Sequence, residues 1–463
     1  MMRGIVLLVV DSLRARSLTR RTGARPATPF LDGLRARAST FERAYATECW
    51  TLPTHLSMFT GLLPSEHGAH FQTMAYQRPQ ATLAELAARA GRHTEVITRN
   101  SIFDGTLPGA TRGFAVNVRV LAELGMSTAG VGVVLALAKP RLRRLLRDSG
   151  FFHVLQRERR DFITTLARMG IPADRGVLTR ALERMQDWRR RGTPYFLFLN
   201  LYDVHAPYSP STTTPLRSWR TWRGWVENLQ LPVLLPRVST HAYLKPGFRM
   251  PARGRAILLD RYHCAIELMD RKLGEFHAEA ERLGLLDDTM LVLTSDHGEA
   301  FGEHDLYFHD ASVYDTHLHV PLWIHHPERP PEVTDDVVST RSLFDLVRAA
   351  LGGRDLSQTI LDRAHRAGHP VALAEHFHYA LAGNLLPQFV QNIAAALVGR
   401  HKAIVRREGT FLYDVVRDPD ELAPEAAALP EFLRRARRDG LPPAAVATAA
   451  AHLERWGTSV AAA

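Results

Sequence analysis

Five short apolar runs constrain this chain most: GIVLLVV (4–10), TEVIT (94–98), YFLFLNL (195–201), MLVLTS (290–295) and VPLWI (320–324). Continuous apolar runs of this length fit parallel strands buried on both faces. Helical patterns at 79–91, 255–285 and 341–352 lie between and after them. Strand alternating with helix predicts an α/β sandwich around a large, mainly parallel sheet. The residues that follow the strands sharpen the expectation. Asp11 follows the first run, Asp203 and His205 the third, and Asp296 and His297 the fourth. Open α/β sheets build their sites at the carboxyl ends of the strands, so these side chains are expected to meet.

The chain has 463 residues, 46% of them hydrophobic, enough for one large domain and a smaller one. The expected division is a catalytic domain over 1–360, with insertions near 120–190 and 212–250, and a C-terminal α+β subdomain with a helical tail over 361–463. The net charge of +10 favours anionic partners, such as phosphate or sulfate esters or an anionic lipid surface. No nucleic-acid-binding module accompanies the charge, which makes nucleic acid an unlikely partner. Two cysteines, Cys49 and Cys264, cannot make a disulfide framework and fit a reducing compartment. The first apolar run is shorter than a usual signal-peptide core, and no small-residue cleavage site follows it. No stretch of roughly 18 apolar residues reads as a membrane span. The expected location is the cytoplasm, with peripheral contact at a membrane.

Residues 139–160 carry eight Lys/Arg against two acids. Within 215–249 the stretch RSWRTWRGW sets Trp219, Trp222 and Trp225 three apart, with Arg217, Arg220 and Arg223 interleaved. Both read as insertions over the sheet edge: either a helical lid whose Trp face packs inward, or a surface for an anionic membrane or a large anionic substrate. Residues 401–426 read as a short antiparallel pair followed by an acidic turn, and the Ala/Arg-rich tail beyond as helix.

In SDHGEAFGEHD (295–305), Asp296 and His297 stand next to each other and Gly298 lets the chain turn away. Carboxylate oxygen with imidazole suits one divalent metal ion, Zn²⁺ or Mn²⁺ in preference to Ca²⁺ or Mg²⁺. In ECWTLPTHLSMFTG (48–61), Pro53 suits a first helical turn and Thr51 stands just before it, a plain N-cap by the simplest reading. A hydroxyl there also faces free backbone N–H groups and the positive end of the helix dipole, a good place to receive a phosphoryl or sulfuryl group. A metal held by Asp11, Thr51, Asp296 and His297 would lower the hydroxyl pKa. His205 and His309 are candidates for proton transfer, and His55 and Asn100 for substrate binding. Cys49 reads as a small buried residue.

The segments VVDSLRARSL (9–18), TLPTHLSMFTGLLPSEHG (51–68), LYDVHAPY (201–208), SDHGEAFGEHD (295–305), 314–324 and LYDVVRDPDE (412–421), taken together, resemble the sulfatase family of the alkaline phosphatase superfamily. The resemblance implies an alkaline-phosphatase-like fold with a smaller C-terminal subdomain. It also implies ester hydrolysis in two steps, through a covalent intermediate. Sulfatases carry Cys-x-Pro-Ser-Arg, whose cysteine becomes formylglycine; here Thr51 takes the cysteine position and His55 the arginine position. The threonine set resembles phosphodiesterases and phosphoethanolamine-type transferases of the same superfamily. Asp203 and His205 are two apart rather than four, unlike two-metal relatives. The expected activity is hydrolysis of a phosphodiester, phosphonate or sulfate ester. Transfer of the group to an acceptor hydroxyl, and anion binding without catalysis, are the alternatives.

Overall fold

A computed structural model describes residues 2–119, 175–208, 244–352, 371–378 and 389–462, apart from positions 20, 23–24, 106, 207, 310 and 427. Most of both basic insertions, including the Trp/Arg stretch, lies outside the described residues. The central sheet contains β1 (Gly4–Val10), β2 (Ser39–Tyr45), β3 (His93–Thr98), β4 (Val116–Arg119), β5 (Tyr195–Leu201), β6 (Thr289–Ser295), β7 (His319–His325) and β8 (Val333–Ser339). Its order is β8-β2-β7-β6-β1-β5-β3-β4. Every neighbouring pair is parallel except the two made by β7, which runs antiparallel to β6 and β2. The VPLWI run was expected to be parallel. It reverses because β6 and β7 are sheet neighbours joined by a local connection, and only a parallel neighbour requires a crossover.

Alternation along the strands splits the core in two. Ile5, Leu7, Val9, Phe196, Phe198, Met290 and Val292 face one side, packed with α2 (Thr51–Thr60), α3 (Leu83–Arg89) and α6 (Leu343–Leu351). Val6, Leu8, Val10, Leu197, Leu199, Leu291 and Leu293 face the other, under α4 (Arg175–Arg191) and α5 (Ala252–Arg282). Each such side chain contributes about 1.5–3 kcal/mol by leaving water. Residues 175–191, inside the first expected insertion, are therefore part of the packed fold: Val177, Ala181, Met185 and Trp188 are buried on the sheet.

Helix α2 is buried at every position and ends at Gly61 with φ 74°. A Cβ there would stand 2.9 Å from the Phe344 ring, so both backbone and space require glycine. The N-cap is Trp50; Thr51 is the first helical residue, and no side-chain capping bond is made. This sets aside the plain N-cap reading and leaves the Thr51 hydroxyl uncommitted to the helix.

The C-terminal part is a second, antiparallel sheet of β9 (Val371–His376), β10 (Ile393–Val398), β11 (His401–Arg406), β12 (Gly409–Asp414) and β13 (Glu425–Ala426). Helices α7 (Leu429–Arg438) and α8 (Pro443–Ala462) follow, and Phe432, Ala436, Val446, Ala449 and Leu453 pack on it. No helix among the described residues is long and apolar enough to cross a membrane.

Candidate active site

Strands β6, β1, β5 and β3 are adjacent and parallel, with Val10 in register with Ser295 on one side and Leu201 on the other. Asp11, Asp296 and Asn100 therefore leave the same sheet edge. The chain turns sharply after β1: Ser12 has φ 63°, costly for a non-glycine residue. The turn is pinned by Tyr262, whose hydroxyl donates to the Ser12 carbonyl at 2.7 Å and accepts from Arg14 N–H at 2.9 Å. It aims Ser12 N–H at Asp296 Oδ1, 3.1 Å away. After β6, Gly298 passes so close to the Thr316 carbonyl that a Cβ would lie 2.1 Å from it.

Asp11, Asp296 and His297 are fully buried, and their ligand atoms lie within 4.8 Å of one another. His297 Nδ1–H donates to the Gly298 carbonyl at 2.9 Å. That fixes the tautomer and leaves Nε2 with a lone pair. Nε2 stands 3.4 Å from Thr51 Oγ1, 3.3 Å from Asp296 Oδ2 and 3.8 Å from Asp11 Oδ1. Asp11 Oδ1 accepts from Ser12 Oγ and Oδ2 from Asn100 Nδ2, while Asp296 Oδ1 accepts from the N–H groups of Ser12 and His297. Asp296 Oδ2 alone of the four oxygens is buried without a partner.

Burial pushes the Asp11 carboxyl up to about 6. Burial, reinforced by repulsion from Asp11, raises Asp296 well above the carboxylate range. Burial also holds His297 well below the usual imidazole value. Two buried carboxyls this close hold protons readily when no cation lies between them, and together with the bare imidazole nitrogen and the orphaned Asp296 oxygen they offer a divalent cation the ligands that would displace those protons. Asp11, Asp296, His297 and the Thr51 hydroxyl fit such an ion.

The imidazoles extend the site outward. His309 stacks on His297 with ring centres 4.5 Å apart, and His205 lies 4.9 Å from His309. His309 Nδ1–H points at Glu299, 3.3 Å from Oε1, and His205 stacks on Tyr202 at 4.2 Å. The structure thus brings Asp11, Thr51, Asp296, His297, His205 and His309 into one chain of contacts. His55 and Asn100, expected at the substrate, are placed otherwise. His55 is fully buried among Phe59, Phe103 and Phe198. It donates to the Thr51 carbonyl at 2.8 Å, lies 3.7 Å from Asp296 Oδ2, and is pushed down to about 3 by burial. Asn100 holds Asp11 at 3.0 Å and receives Ile102 N–H. Both sit behind the carboxylates rather than in an exposed anion-binding position.

Asp203, expected with the other strand-end residues, is instead buried in an ion pair with Lys272 of α5, and Lys272, Arg14 and Glu299 were not anticipated. Arg14 is buried between the Tyr262 and Phe301 rings and bonds Glu303 at 2.7 Å and the Glu299 carbonyl at 3.1 Å. Arg14 lies three residues beyond Asp11 and Glu299 two beyond His297, close enough in sequence to have been suspected. Nothing in the sequence marks Lys272.

A parallel-edge α/β sheet of this order, a C-terminal antiparallel sheet and this cluster define an ester hydrolase of the alkaline-phosphatase-like class. The family model "Sulfatase" matches residues 3–353, and the chain belongs to the sulfatase family. It is 23% identical to arylsulfatase K of Rattus norvegicus over 464 residues, covering 92% of this chain and 75% of that protein. Among solved structures, a phosphonate monoester hydrolase of Agrobacterium radiobacter superposes with TM-score 0.64 at 19% identity, covering 94% of each chain. A protein solved with its substrate D-glucosamine-2-N,6-O-disulfate gives TM-score 0.63 at 14% identity, covering 97% of each.

Proposed function

We propose that this protein is a metal-dependent phosphodiester, phosphonate or sulfate ester hydrolase in which Thr51 is the nucleophile. The observation that carries the reading is the Thr51 hydroxyl: first in its helix, free of capping, and 3.4 Å from His297 Nε2 beside the orphaned Asp296 oxygen. Asp11, Asp296, His297 and Thr51 would hold the ion, which when bound supplies Lewis acidity and lowers the hydroxyl pKa. Thr51 Oγ forms the new bond to phosphorus or sulfur as its proton passes to solvent, from which the hydroxyl regains it when the ester is hydrolysed. The bond to the ester oxygen breaks in line, and the leaving alcohol takes a proton from the His205–His309 pair. Water then attacks the Thr51 ester, giving the inorganic or mono-esterified acid and restoring the hydroxyl. The helix N-terminus steadies the anion throughout. The cysteine of the formylglycine enzymes has no counterpart at this position, and Cys49 Sγ faces Glu48 and His376 instead. Relatives named for arylsulfatase and phosphonate hydrolysis support the two ester classes equally.

The test is turnover by metal-replete protein on matched nitrophenyl sulfate, phosphate, phosphodiester and phosphonate, with Thr51→Ala alongside. Turnover of one class is expected, lost at least about a thousandfold in the variant with less than about 1 kcal/mol change in stability. Near-wild-type activity in Thr51→Ala overturns the nucleophile. Product transfer to added alcohols, in place of hydrolysis, would make the protein a transferase.

A further inference from the structure

We propose that Glu48, Cys49 and His376 form a second metal site, for a thiophilic divalent ion such as Zn²⁺, that fastens the Thr51 loop to the C-terminal sheet. All three residues are fully buried, away from any role in the chemistry above. Cys49 Sγ lies 3.2 Å from Glu48 Oε1 and 3.6 Å from His376 Nδ1, and Glu48 Oε1 lies 2.9 Å from that nitrogen. A tetrahedral zinc ion with its usual bond lengths to sulfur, nitrogen and oxygen spaces neighbouring ligand atoms by about 3.3–3.6 Å. The three donors therefore already stand close to the edges of a coordination tetrahedron.

The hydrogen bonding is lopsided in the same direction. Glu48 Oε1 faces three donors: Cys49 N–H at 2.9 Å, the thiol, and His376 Nδ1. Glu48 Oε2 and His376 Nε2 are buried with no partner. A cation at the common point would replace the thiol and imidazole protons crowded against Glu48 Oε1, with Oε2 and Nε2 outside its shell. The thiol proton leaves to solvent, the His376 proton moves from Nδ1 to Nε2, and carboxylate plus thiolate neutralise the double charge. The shell is apolar: Trp50 stacks on Phe71 at 4.0 Å, and Phe71 meets the His376 ring at 6.1 Å. Sulfur distinguishes this set from the oxygen-and-imidazole set beside Thr51 and selects a softer ion.

The position gives the site its purpose. Cys49 is two residues before Thr51, and His376 ends β9. The same two segments are joined by Glu375 N–H donating to the Thr47 carbonyl at 2.9 Å. A metal here would fix the approach of the chain into α2 against β9.

The full chain, stripped of metal and titrated with Co²⁺, tests the assignment. Expected are two cobalt ions per chain and a near-ultraviolet thiolate-to-cobalt charge-transfer band. The band should be absent from Cys49→Ser and retained in Cys264→Ser. It should also be retained in Asp296→Asn, which separates this site from the one beside Thr51. A wild-type protein that shows no thiolate band overturns the proposal whatever the variants do. A band that survives in Cys49→Ser overturns it as well.

Discussion

Asn100 shows how a residue's neighbours decide its role. Its amide holds Asp11 Oδ2 at 3.0 Å while its own oxygen receives Ile102 N–H, so it orients a carboxylate and closes a turn at once. Outer partners of metal ligands typically contribute 10–100-fold in affinity. Asn100→Ala should therefore weaken metal binding by about that factor in the absence of substrate, measured by direct metal titration. An unchanged metal affinity with a raised KM would instead return Asn100 to the substrate. His297 carries the same lesson: its reactive nitrogen is set by the bond its other nitrogen makes to Gly298.

At the scale of elements, α5 organises more than its sequence pattern suggests. Along its 31 residues, Tyr262 pins the Asp11 turn, Lys272 neutralises Asp203, and Asp270 caps α1 (Pro29–Leu34). The Asp270 carboxylate accepts Leu31 N–H at 2.8 Å and Phe30 N–H at 3.1 Å, yet burial pushes it up to about 6. Its folded pKa is raised above the unfolded value, so its contribution is fully present below about pH 4 and is lost as pH rises through about 6. Relative to Asp270→Asn, which does not titrate, the wild type should lose on the order of 1–3 kcal/mol between those limits. Denaturant unfolding of both proteins at pH 4 and pH 7 checks this; a constant difference would refute it.

Across the whole molecule, the two sheets are joined by a buried charge cluster. Lys402 of β11 bonds Asp315 at 2.6 Å and Glu421 at 2.7 Å, and Asp315 N–H donates to Glu421 at 2.6 Å. Removing one member of such a network leaves uncompensated buried charge. Lys402→Met should therefore cost about 3–5 kcal/mol, read as a lowered denaturation midpoint. A loss below about 1 kcal/mol would show that the junction depends on packing instead. Tyr45 adds its hydroxyl to Asp315 at 3.4 Å, tying β2 to the same point.

The strands that are apolar throughout, and the acids that follow them, were legible because burial on both faces leaves no room for polar residues and the carboxyl edge collects the chemistry. Strands β2 and β8 were not legible: STFERAY and VTDDVVS carry charges because parts of their length face solvent. Asp11, Thr51, Asp296 and His297 stood out because each lies next to a strand end or helix start. Lys272, Tyr262 and His376 did not, since their partners are 69, 250 and 328 positions away. The sequence by itself determined the α/β class and the family and singled out the acids that meet at one sheet edge, because those rest on local patterns. Only the tertiary structure decided which way β7 runs, that Asn100 bonds Asp11 and His55 the Thr51 carbonyl, and that Glu48, Cys49 and His376 converge. Those outcomes depend on which distant surfaces are pressed together, and no local periodicity records that.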